Sequence, residues 1–251
     1  MLINDIQPKG LGIGTVTYCG ICHKPKIMML DGVPCQVPVM CDCEAKAYME
    51  RQQQQDERRR LQGIRARIES GIPPGKYRKY TFANDDRANP TASDAVKKYV
   101  DEWPENLRTG KGLLLCGGVG SGKTFLAVAA ANEIVKQSSV YVSELSTLAR
   151  DAGDFNKDMD RIIENVGLLV IDDIGVERSS EYVMENSYSI INGRYKTGLP
   201  VICTTNLTPR ELVIGGTSVK ARIYDRILEM CGTTIVVDVK VSRRIKNRGK
   251  V

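Results

Sequence analysis

Long apolar runs are missing from this chain of 251 residues, and so are the signals that direct a protein into a membrane or out of the cell. No stretch approaches the roughly 20 apolar residues that a membrane-spanning helix needs. The start of the chain, MLINDIQPKG, lacks the basic-then-apolar pattern of a signal peptide. We therefore expect a cytoplasmic protein without a membrane partner.

Aromatic residues are also few, since one tryptophan, three phenylalanines and ten tyrosines make up 6% of the chain. With 42% hydrophobic residues overall, this composition is ordinary for a soluble α/β protein. No internal repeat or coiled-coil heptad is present, and the length predicts one core domain with a smaller appendage. Because structural disulfides are rare in the cytosol, the eight cysteines are interpreted as metal ligands or buried thiols.

A glycine-rich loop, GGVGSGKT, is the most informative stretch of the chain. An apolar run that predicts a buried strand precedes it, and an alanine-rich run that predicts a helix follows it. Backbone N–H groups of such a loop can surround phosphates, with Lys123 at the β- and γ-phosphates of ATP and Thr124 at Mg²⁺. The predicted nucleotide-binding residues of this segment are Gly117, Gly118, Val119, Gly120, Ser121, Gly122, Lys123, Thr124 and Phe125.

Polar residues follow two further predicted strands. The apolar run 167–171 ends in Asp172 and Asp173, where ligands bind in parallel sheets. Asp172 can hold Mg²⁺ through water, and Asp173 can orient or deprotonate the attacking water. Asn206 closes the next strand and is expected to sense the γ-phosphate. Without the glycine-rich loop, the two carboxylates would be read as a solvated acidic turn.

The rest of the chain predicts the organisation around these motifs. Strands alternate with helices, which predicts an α/β fold with a parallel sheet and helices on both faces. A polar helix at 44–70 has too few apolar positions to form a core, and GIPPG at 71–75 ends it. We place domains at 1–70, a zinc-binding and helical part, at 71–110, a linker with a short helix, and at 111–251, the ATPase.

Four segments resemble the Walker A, Walker B, Sensor 1 and Box VII motifs of AAA+ P-loop ATPases. They are Gly117–Thr124, Leu168–Asp173, Thr204–Asn206 and Arg222–Arg226. Segments 72–82, 169–175 and 191–195 narrow the resemblance to bacterial replicative-helicase loaders of the DnaC/DnaI type and the related IstB-like transposition helpers. The resemblance covers most of residues 70–245.

This resemblance implies roles that the local sequence does not show. Arg226 resembles the arginine finger that acts on the nucleotide of a neighbouring subunit, and Arg222 resembles its companion, so self-association is expected. On spacing alone the pair would be two arginines on a helix surface. Arg243 or Arg244 resembles the Sensor 2 arginine. Asp173 stands where many relatives have glutamate, which implies slow hydrolysis, and the helical lid of most AAA+ proteins is expected to be absent.

Four cysteines predict a structural zinc site with tetrahedral thiolate coordination. They are Cys19, Cys22, Cys41 and Cys43. His23 and Cys35 are spare ligands, and a redox pair or no site at all are the alternatives. The pattern resembles the N-terminal zinc module of phage and Gram-positive loaders, which meets the helicase. Cys116, Cys203 and Cys231 lie in apolar contexts and are predicted to be buried core residues.

These features together predict an ATP-dependent loader. It would bind the hexameric replicative DNA helicase and deliver it to single-stranded DNA during replication initiation. Basic residues along 58–79 and 240–250 can contact DNA phosphates, although solvated helix surfaces carry such residues too. The alternatives are a transposition helper ATPase acting on duplex DNA, a zinc-bearing nucleic-acid-binding module with an incidental ATPase fold, and a small-molecule kinase.

Overall fold

A computed structural model gives the arrangement of the chain. The described residues are 18–29, 36–152, 159–175, 181–213 and 218–238. The chain forms two compact units, which divide between Gln62 and Gly63 inside a long helix. Each unit is considered separately below.

The first unit contains a small antiparallel hairpin followed by the start of helix α1. Strand β1 (Ile27–Met29) pairs with β2 (Gln36–Pro38), and α1 then runs over Asp42–Gly71. The sequence predicts a helix over 44–70, and the observed helix extends slightly beyond it at both ends. Its residues in the first unit are mostly exposed, as expected for a helix rich in Gln, Arg and Glu.

The second unit is built on a five-stranded parallel sheet with the order β4-β5-β6-β3-β7. The strands are β3 (Leu113–Cys116), β4 (Val140–Glu144), β5 (Leu168–Ile174), β6 (Val201–Thr205) and β7 (Thr233–Val236). The last strand is predicted over 234–239 and ends earlier, and residue 239 lies outside the described part. Leu113, Leu114 and Leu115 are fully buried and point alternately to the two faces of the sheet, so both faces must be covered.

Helices supply that cover on both faces. They are α2 (Pro90–Asp101), α3 (Trp103–Thr109), α4 (Lys123–Ile134), α5 (Leu145–Asp151), α6 (Met159–Asn165), α7 (Glu181–Thr197), α8 (Pro209–Val213) and α9 (Val219–Met230). Apolar residues of α2 and α4 form one core with the sheet, and those of α5, α7 and α9 form the other. The predicted α/β class with helices on both faces is confirmed. The predicted absence of a lid concerns residues after Asp238, which lie outside the described part.

Two short helices, α3 and α8, were not predicted from the sequence. Both carry a proline in their first turn, where proline is tolerated but where a proline also resembles a turn signal. Among the described helices, none combines the length and the apolar character needed to cross a membrane.

Candidate nucleotide site and cysteine centre

The strand order brings the predicted nucleotide residues to one edge of the sheet. β3 leads into the glycine-rich loop and α4, and β6 and β5 lie next to it in that order. Since all these strands are parallel, their carboxyl ends share an edge. Crevices at that edge are where open α/β sheets bind ligands.

Glycine is required at several positions of the loop. Gly117, Gly120 and Gly122 have φ values of 152°, 77° and 101°, in the region that side chains disfavour. A Cβ atom at Gly117 would lie 2.2 Å from the carbonyl oxygen of Val237, so the backbone approach leaves no room for a side chain. Gly118 faces open space, which leaves its side of the loop accessible to a ligand.

Lys123 is buried at the centre of this loop. Its Nζ donates hydrogen bonds to the carbonyl oxygens of Gly117 and Gly118, at 2.8 and 2.9 Å, and to Oδ1 of Asn206 at 2.8 Å. Ser121 Oγ lies 3.5 Å from the same nitrogen. The ammonium group and the Asn206 amide therefore lie side by side at the carboxyl end of the sheet.

Asp172 is buried at the end of β5 and accepts two hydrogen bonds on one oxygen. Thr124 Oγ1 donates to its Oδ1 at 2.9 Å, and Thr204 Oγ1 donates to the same atom at 2.5 Å. Burial raises the pKa of Asp172, while these two hydrogen bonds act in the opposite direction. A buried carboxylate beside a threonine hydroxyl is a donor set that fits Mg²⁺, whose charge would offset the cost of burial.

Asp173 has an unusual backbone for a non-glycine residue. Its φ is 54°, in the left-handed region, and its side chain is exposed. Its N–H donates to Thr204 Oγ1 at 3.0 Å, and the pairing of β5 with β6 shifts between Ile171 and Ile174. The irregularity turns Asp173 away from the buried strand toward solvent. Such strain is concentrated at functional sites, where surrounding contacts maintain it.

Thr204 is a residue of this site to which the sequence analysis assigned no role. It is fully buried, donates to Asp172 and accepts from the Asp173 N–H, so it fixes both carboxylate residues at once. A hydroxyl at the end of a strand is a weak signal on its own. The role of Thr204 can be recognised only from the strand order, which puts β6 beside β5.

On α9, Arg222 is exposed and Arg226 is half-buried, whereas Ile223 and Ile227 are buried. The guanidinium carbon of Arg226 lies 4.6 Å from the ring centroid of Tyr188 and 5.6 Å from that of Tyr195, both on α7. Arg226 Nη1 is buried without a hydrogen-bond partner among the described residues. Neither arginine belongs to the hydrogen-bonded group around Lys123 and Asp172.

Other predicted contacts lie elsewhere or outside the described residues. Phe125 packs its ring 5.1 Å from that of Tyr80, and Val119 is exposed at the tip of the loop. Arg243, Arg244 and the basic stretch 240–250 lie outside the described part. Within the other basic stretch, Arg59 and Arg60 are exposed and each faces an acidic residue one turn away. Their positive charge is therefore partly offset by their own helix.

The four predicted cysteines lie together in the first unit. Their sulfur atoms all lie within 4.8 Å of one another. Cys43 Sγ lies 3.2 Å from Cys19 Sγ, 3.1 Å from Cys41 Sγ and 3.5 Å from Cys22 Sγ. Tetrahedral zinc with Zn–S bonds of about 2.3 Å separates sulfurs by roughly 3.8 Å, so the group fits one zinc ion after a small expansion. His23 is not in this group, and Cys35 lies outside the described residues.

Local contacts favour the thiolate form of Cys19, whereas hydrogen bonds with the neighbouring sulfurs raise the pKa of Cys43, and the pKa of Cys41 is raised as well. Backbone hydrogen bonds at Cys22 and Ile21 lower the pKa of the Cys19 thiol to about 6. The Ile21 N–H donates to Cys19 Sγ at 3.4 Å, the geometry of a tight turn around a metal-binding thiolate. Ion pairs of Lys24 with Asp42 and of Lys26 with Glu44 join the two cysteine-bearing segments.

The remaining described cysteines are in a different environment. Cys116, Cys203 and Cys231 are buried in the second unit. Burial raises the pKa of Cys116 to about 11, and it also raises the pKa of Cys203. Both thiols therefore stay protonated at neutral pH. These three residues are core residues, as the sequence predicts.

Comparison with known proteins gives the chain a family context. Residues 79–251 match the family described as IstB-like ATP binding protein. Over 214 residues the chain is 27% identical to the phage-like element PBSX protein XkdC of Bacillus subtilis, which covers 80% of this chain and 75% of that protein. Over 129 residues it is 29% identical to the replicative helicase loader DnaC of Escherichia coli, covering 48% of this chain and 51% of DnaC.

Solved structures agree with the sequence comparison. The crystal structure of the DnaC helicase loader matches 66% of this chain and 100% of that chain, with a TM-score of 0.54 and 25% identity. The crystal structure of DnaI matches 67% of this chain and 96% of that chain, with a TM-score of 0.53 and 25% identity. The predicted AAA+ fold and the similarity to DnaC and DnaI are therefore confirmed. The cysteine centre lies outside the residues that the family match covers.

Proposed function

Because this chain belongs to the family of IstB-like ATP binding proteins, we propose that it is an ATP-dependent loader of a hexameric replicative DNA helicase. It binds the helicase, delivers it to single-stranded DNA during replication initiation and hydrolyses ATP. The observation that carries the proposal is the joining of Lys123, Asn206, Thr124 and Asp172 at the end of one sheet. The similarity to DnaC and DnaI supports the choice of partner.

Each residue of the nucleotide site has a defined task in this proposal. Lys123 leaves the carbonyl oxygens of its own loop to contact the β- and γ-phosphates, and Asn206 contacts the γ-phosphate from the neighbouring strand. Thr124 and Asp172 hold Mg²⁺, which supplies positive charge to the phosphate oxygens. Thr204 fixes the orientation of Asp172, and Asp173 orients or deprotonates the attacking water.

Hydrolysis in this proposal needs a second subunit. Arg226, with Arg222 beside it, reaches the γ-phosphate held by a neighbouring copy of the chain, and Arg243 or Arg244 contacts the nucleotide of its own subunit. A finger arginine is worth roughly 10³–10⁵ in rate, so an isolated subunit hydrolyses ATP slowly. The unpartnered, buried Nη1 of Arg226 supports a role completed only on assembly, because buried donors normally find acceptors.

The cysteine centre is the proposed helicase-binding module. Zinc bound by Cys19, Cys22, Cys41 and Cys43 fixes the fold of a segment whose described residues form little apolar core. Tyr18 and Ile21 of this segment are 62% and 82% exposed, which leaves apolar surface for a protein partner. ATP binding orders the oligomer on single-stranded DNA, and hydrolysis releases the loader.

Co-purification with the host's replicative helicase tests the proposal. The full chain, with ATP, is expected to form a stoichiometric complex that is lost when residues 1–62 are removed. We choose this deletion because it removes the first unit and leaves the end of α1 on its own unit. There, a Cβ atom at Gly71 would lie 1.8 Å from the Val140 carbonyl oxygen, so the two segments pack directly. Failure of the full chain to bind helicase would refute the proposal.

A transposition helper that acts on duplex DNA is the second candidate. The family match favours it, since the family takes its description from IstB-like proteins. Nucleotide-dependent assembly on duplex DNA, together with no helicase complex, would make it the leading function. The cysteine centre, which lies outside the matched residues, argues for the loader.

A further inference from the structure

A second concave site lies in the ATPase unit, at the end of the sheet opposite the nucleotide residues. It has a volume of about 580 Å³, within the range of about 300–1,000 Å³ typical of small-ligand sites. Ser139 and Val140, at the beginning of the outermost strand β4, form part of it. Tyr141 of the same strand also lines it, and the rest comes from the last turns of α1, from α6 and from Val166 directly after α6. We call it the β4 groove.

The β4 groove is separate from the ATP site. Ser139 and Val140 precede or begin β4, whereas Glu144 at its other end pairs with Asp172. Four residues of parallel strand span roughly 13 Å, so the groove and the magnesium position lie at opposite ends of β4. A ligand of the groove is therefore a second ligand.

Two arginines give the groove its charge. Arg67 enters from α1 and Arg161 from α6, and no acidic side chain is among the described residues that line it. The guanidinium of Arg67 is held in place because its Nη2 donates to the carbonyl oxygen of Lys136 at 2.9 Å. Its Nε is buried and has no acceptor among the described residues. A positioned guanidinium with unused donor capacity is suited to bind an anion.

Neutral side chains of the groove add a second kind of contact. Ser139 Oγ accepts a hydrogen bond from the Gly167 N–H at 2.9 Å, which leaves its hydroxyl proton available for a ligand. Asn165 offers further donors and an acceptor. Tyr141 supplies an aromatic ring, and the remaining lining is the hydroxyl of Ser70, which donates to the Arg67 carbonyl oxygen at 3.3 Å, and three apolar side chains. Cationic, hydrogen-bonding and aromatic groups in one groove match a phosphate that carries a flat base.

We propose that the β4 groove binds a nucleotide unit, with Arg67 and Arg161 on its phosphate and Tyr141 against its base. The unit has two possible sources with the same chemistry, a nucleotide within single-stranded DNA or a free nucleoside monophosphate. A strand bound here would run along the outer edge of the sheet, away from the ATP. The DNA source rests on the proposed function as a loader.

The test is a binding measurement on the full chain with two probes. A fluorescein-labelled oligothymidylate reports the strand, and dTMP, alone and as competitor, reports the free nucleotide. Arg67→Met and Arg161→Met are each expected to weaken binding at least about tenfold and to reduce the slope of log affinity against log salt by about 1. Tyr141→Leu should weaken it roughly fivefold or more, and Tyr141→Phe should not.

Arg65→Met is the matched control, since Arg65 lies on the same helix, carries the same charge and does not line the groove. Strong oligothymidylate binding that dTMP does not compete would assign the strand as the ligand. Displacement by dTMP at similar nucleotide concentration, retained in Lys123→Ala, would assign the free nucleotide. Equal effects of Arg67→Met and Arg65→Met on both probes, or no binding of either probe, would overturn the proposal.

Helicase co-purification of the same variants separates this proposal from the loader function. Arg67→Met is expected to keep helicase binding and an unchanged thermal unfolding midpoint while it loses the nucleotide probe. If the wild-type chain does not bind helicase, the loader function is refuted. Binding of the two probes alone then decides whether the groove binds a nucleotide. If Arg67→Met proves unstable, probe binding by Arg161→Met, Tyr141→Leu and Tyr141→Phe tests the same proposal.

Discussion

The nucleotide site and the cysteine centre are both groups of polar side chains, but different forces hold them in place. The nucleotide site stands on strands whose side chains, such as Leu114, Val170 and Ile202, are 0% exposed. In the first unit, Cys19 and Cys41 are the buried members of the described residues. Burial of apolar area at about 25 cal/mol per Å² therefore supports the first site, whereas we propose that the second depends on zinc.

Because different forces hold the two sites, a substitution that disrupts one site should leave the other intact. A preformed site loses chemistry when one side chain is changed, while its fold persists. A metal-supported module loses its fold when ligands are removed, and any partner binding disappears with it. The four variants below separate these cases, starting with the largest expected effect.

Replacing Cys19 and Cys22 together by serine should abolish zinc binding and the helicase complex, because two thiolates cannot close the tetrahedron. ATP affinity should change by less than about twofold, since the second unit has its own core. Zinc content by metal analysis, co-purification and nucleotide titration measure the three quantities. The control for zinc content is Cys116→Ser, because it replaces a buried core thiol and removes no proposed zinc ligand. A helicase complex that persists after zinc is lost would show that helicase binding does not depend on a metal-supported fold.

Arg226→Ala should reduce hydrolysis in the assembled state by roughly 10³-fold, while ATP binding stays near wild type. A mixture of Arg226→Ala and Lys123→Ala subunits should regain part of the activity, because each supplies what the other lacks at a shared site. Steady-state ATPase assays measure both effects. Arg210→Ala, an exposed arginine on α8, is the control. No recovery in the mixture would refute action between subunits.

Arg194→Met tests the stability of the second unit itself. The fully buried guanidinium of Arg194 donates to the carbonyl oxygens of Ile163, Val166, Gly167 and Pro200 at 2.6–2.9 Å, and burial lowers its pKa to about 10. Losing it leaves those acceptors unpaired, at a cost of about 3 kcal/mol or more in unfolding free energy. Urea unfolding measures this cost, and zinc content should not change.

The matched control for that variant is Arg150→Met, which changes an exposed arginine on α5. It should alter the unfolding free energy by no more than about 0.5 kcal/mol. Equal effects of the two variants would show that the carbonyl contacts of Arg194 contribute nothing to stability.

Asp172→Asn should give the smallest effect on stability, a gain on the order of 1 kcal/mol without Mg²⁺ at neutral pH. Burial raises the pKa of Asp172, so the charged form opposes folding. The penalty is fully present above the raised pKa and disappears as pH falls through it toward the unfolded value near 3.9. The gain should therefore shrink on acidification, which urea unfolding at several pH values can follow.

Asp173→Asn serves as the control because that side chain is exposed. It should not raise stability in the same way. A gain at Asp172 that is independent of pH would mean that burial of the charge is not its origin.

Local motifs were the most predictable part of this molecule. The glycine-rich loop is contiguous and the cysteines are close pairs, so spacing alone indicates their chemistry. Thr204 could be assigned no role, because its importance depends on the adjacency of β6 and β5. The tyrosines that contact Arg226 come from α7, and packing of that helix against α9 brings them there.

The amino-acid sequence by itself determined the alternation of the sheet strands with the longer helices, the glycine-rich loop and the cysteine cluster, since periodicity and short spacings are properties of the chain. Only the tertiary structure decided which side chains meet across long separations. Lys123 and Asn206 meet because the chain crosses the sheet and returns β6 beside β3. The β4 groove arises in the same way, since a helix end, a strand edge and a second helix converge there through packing.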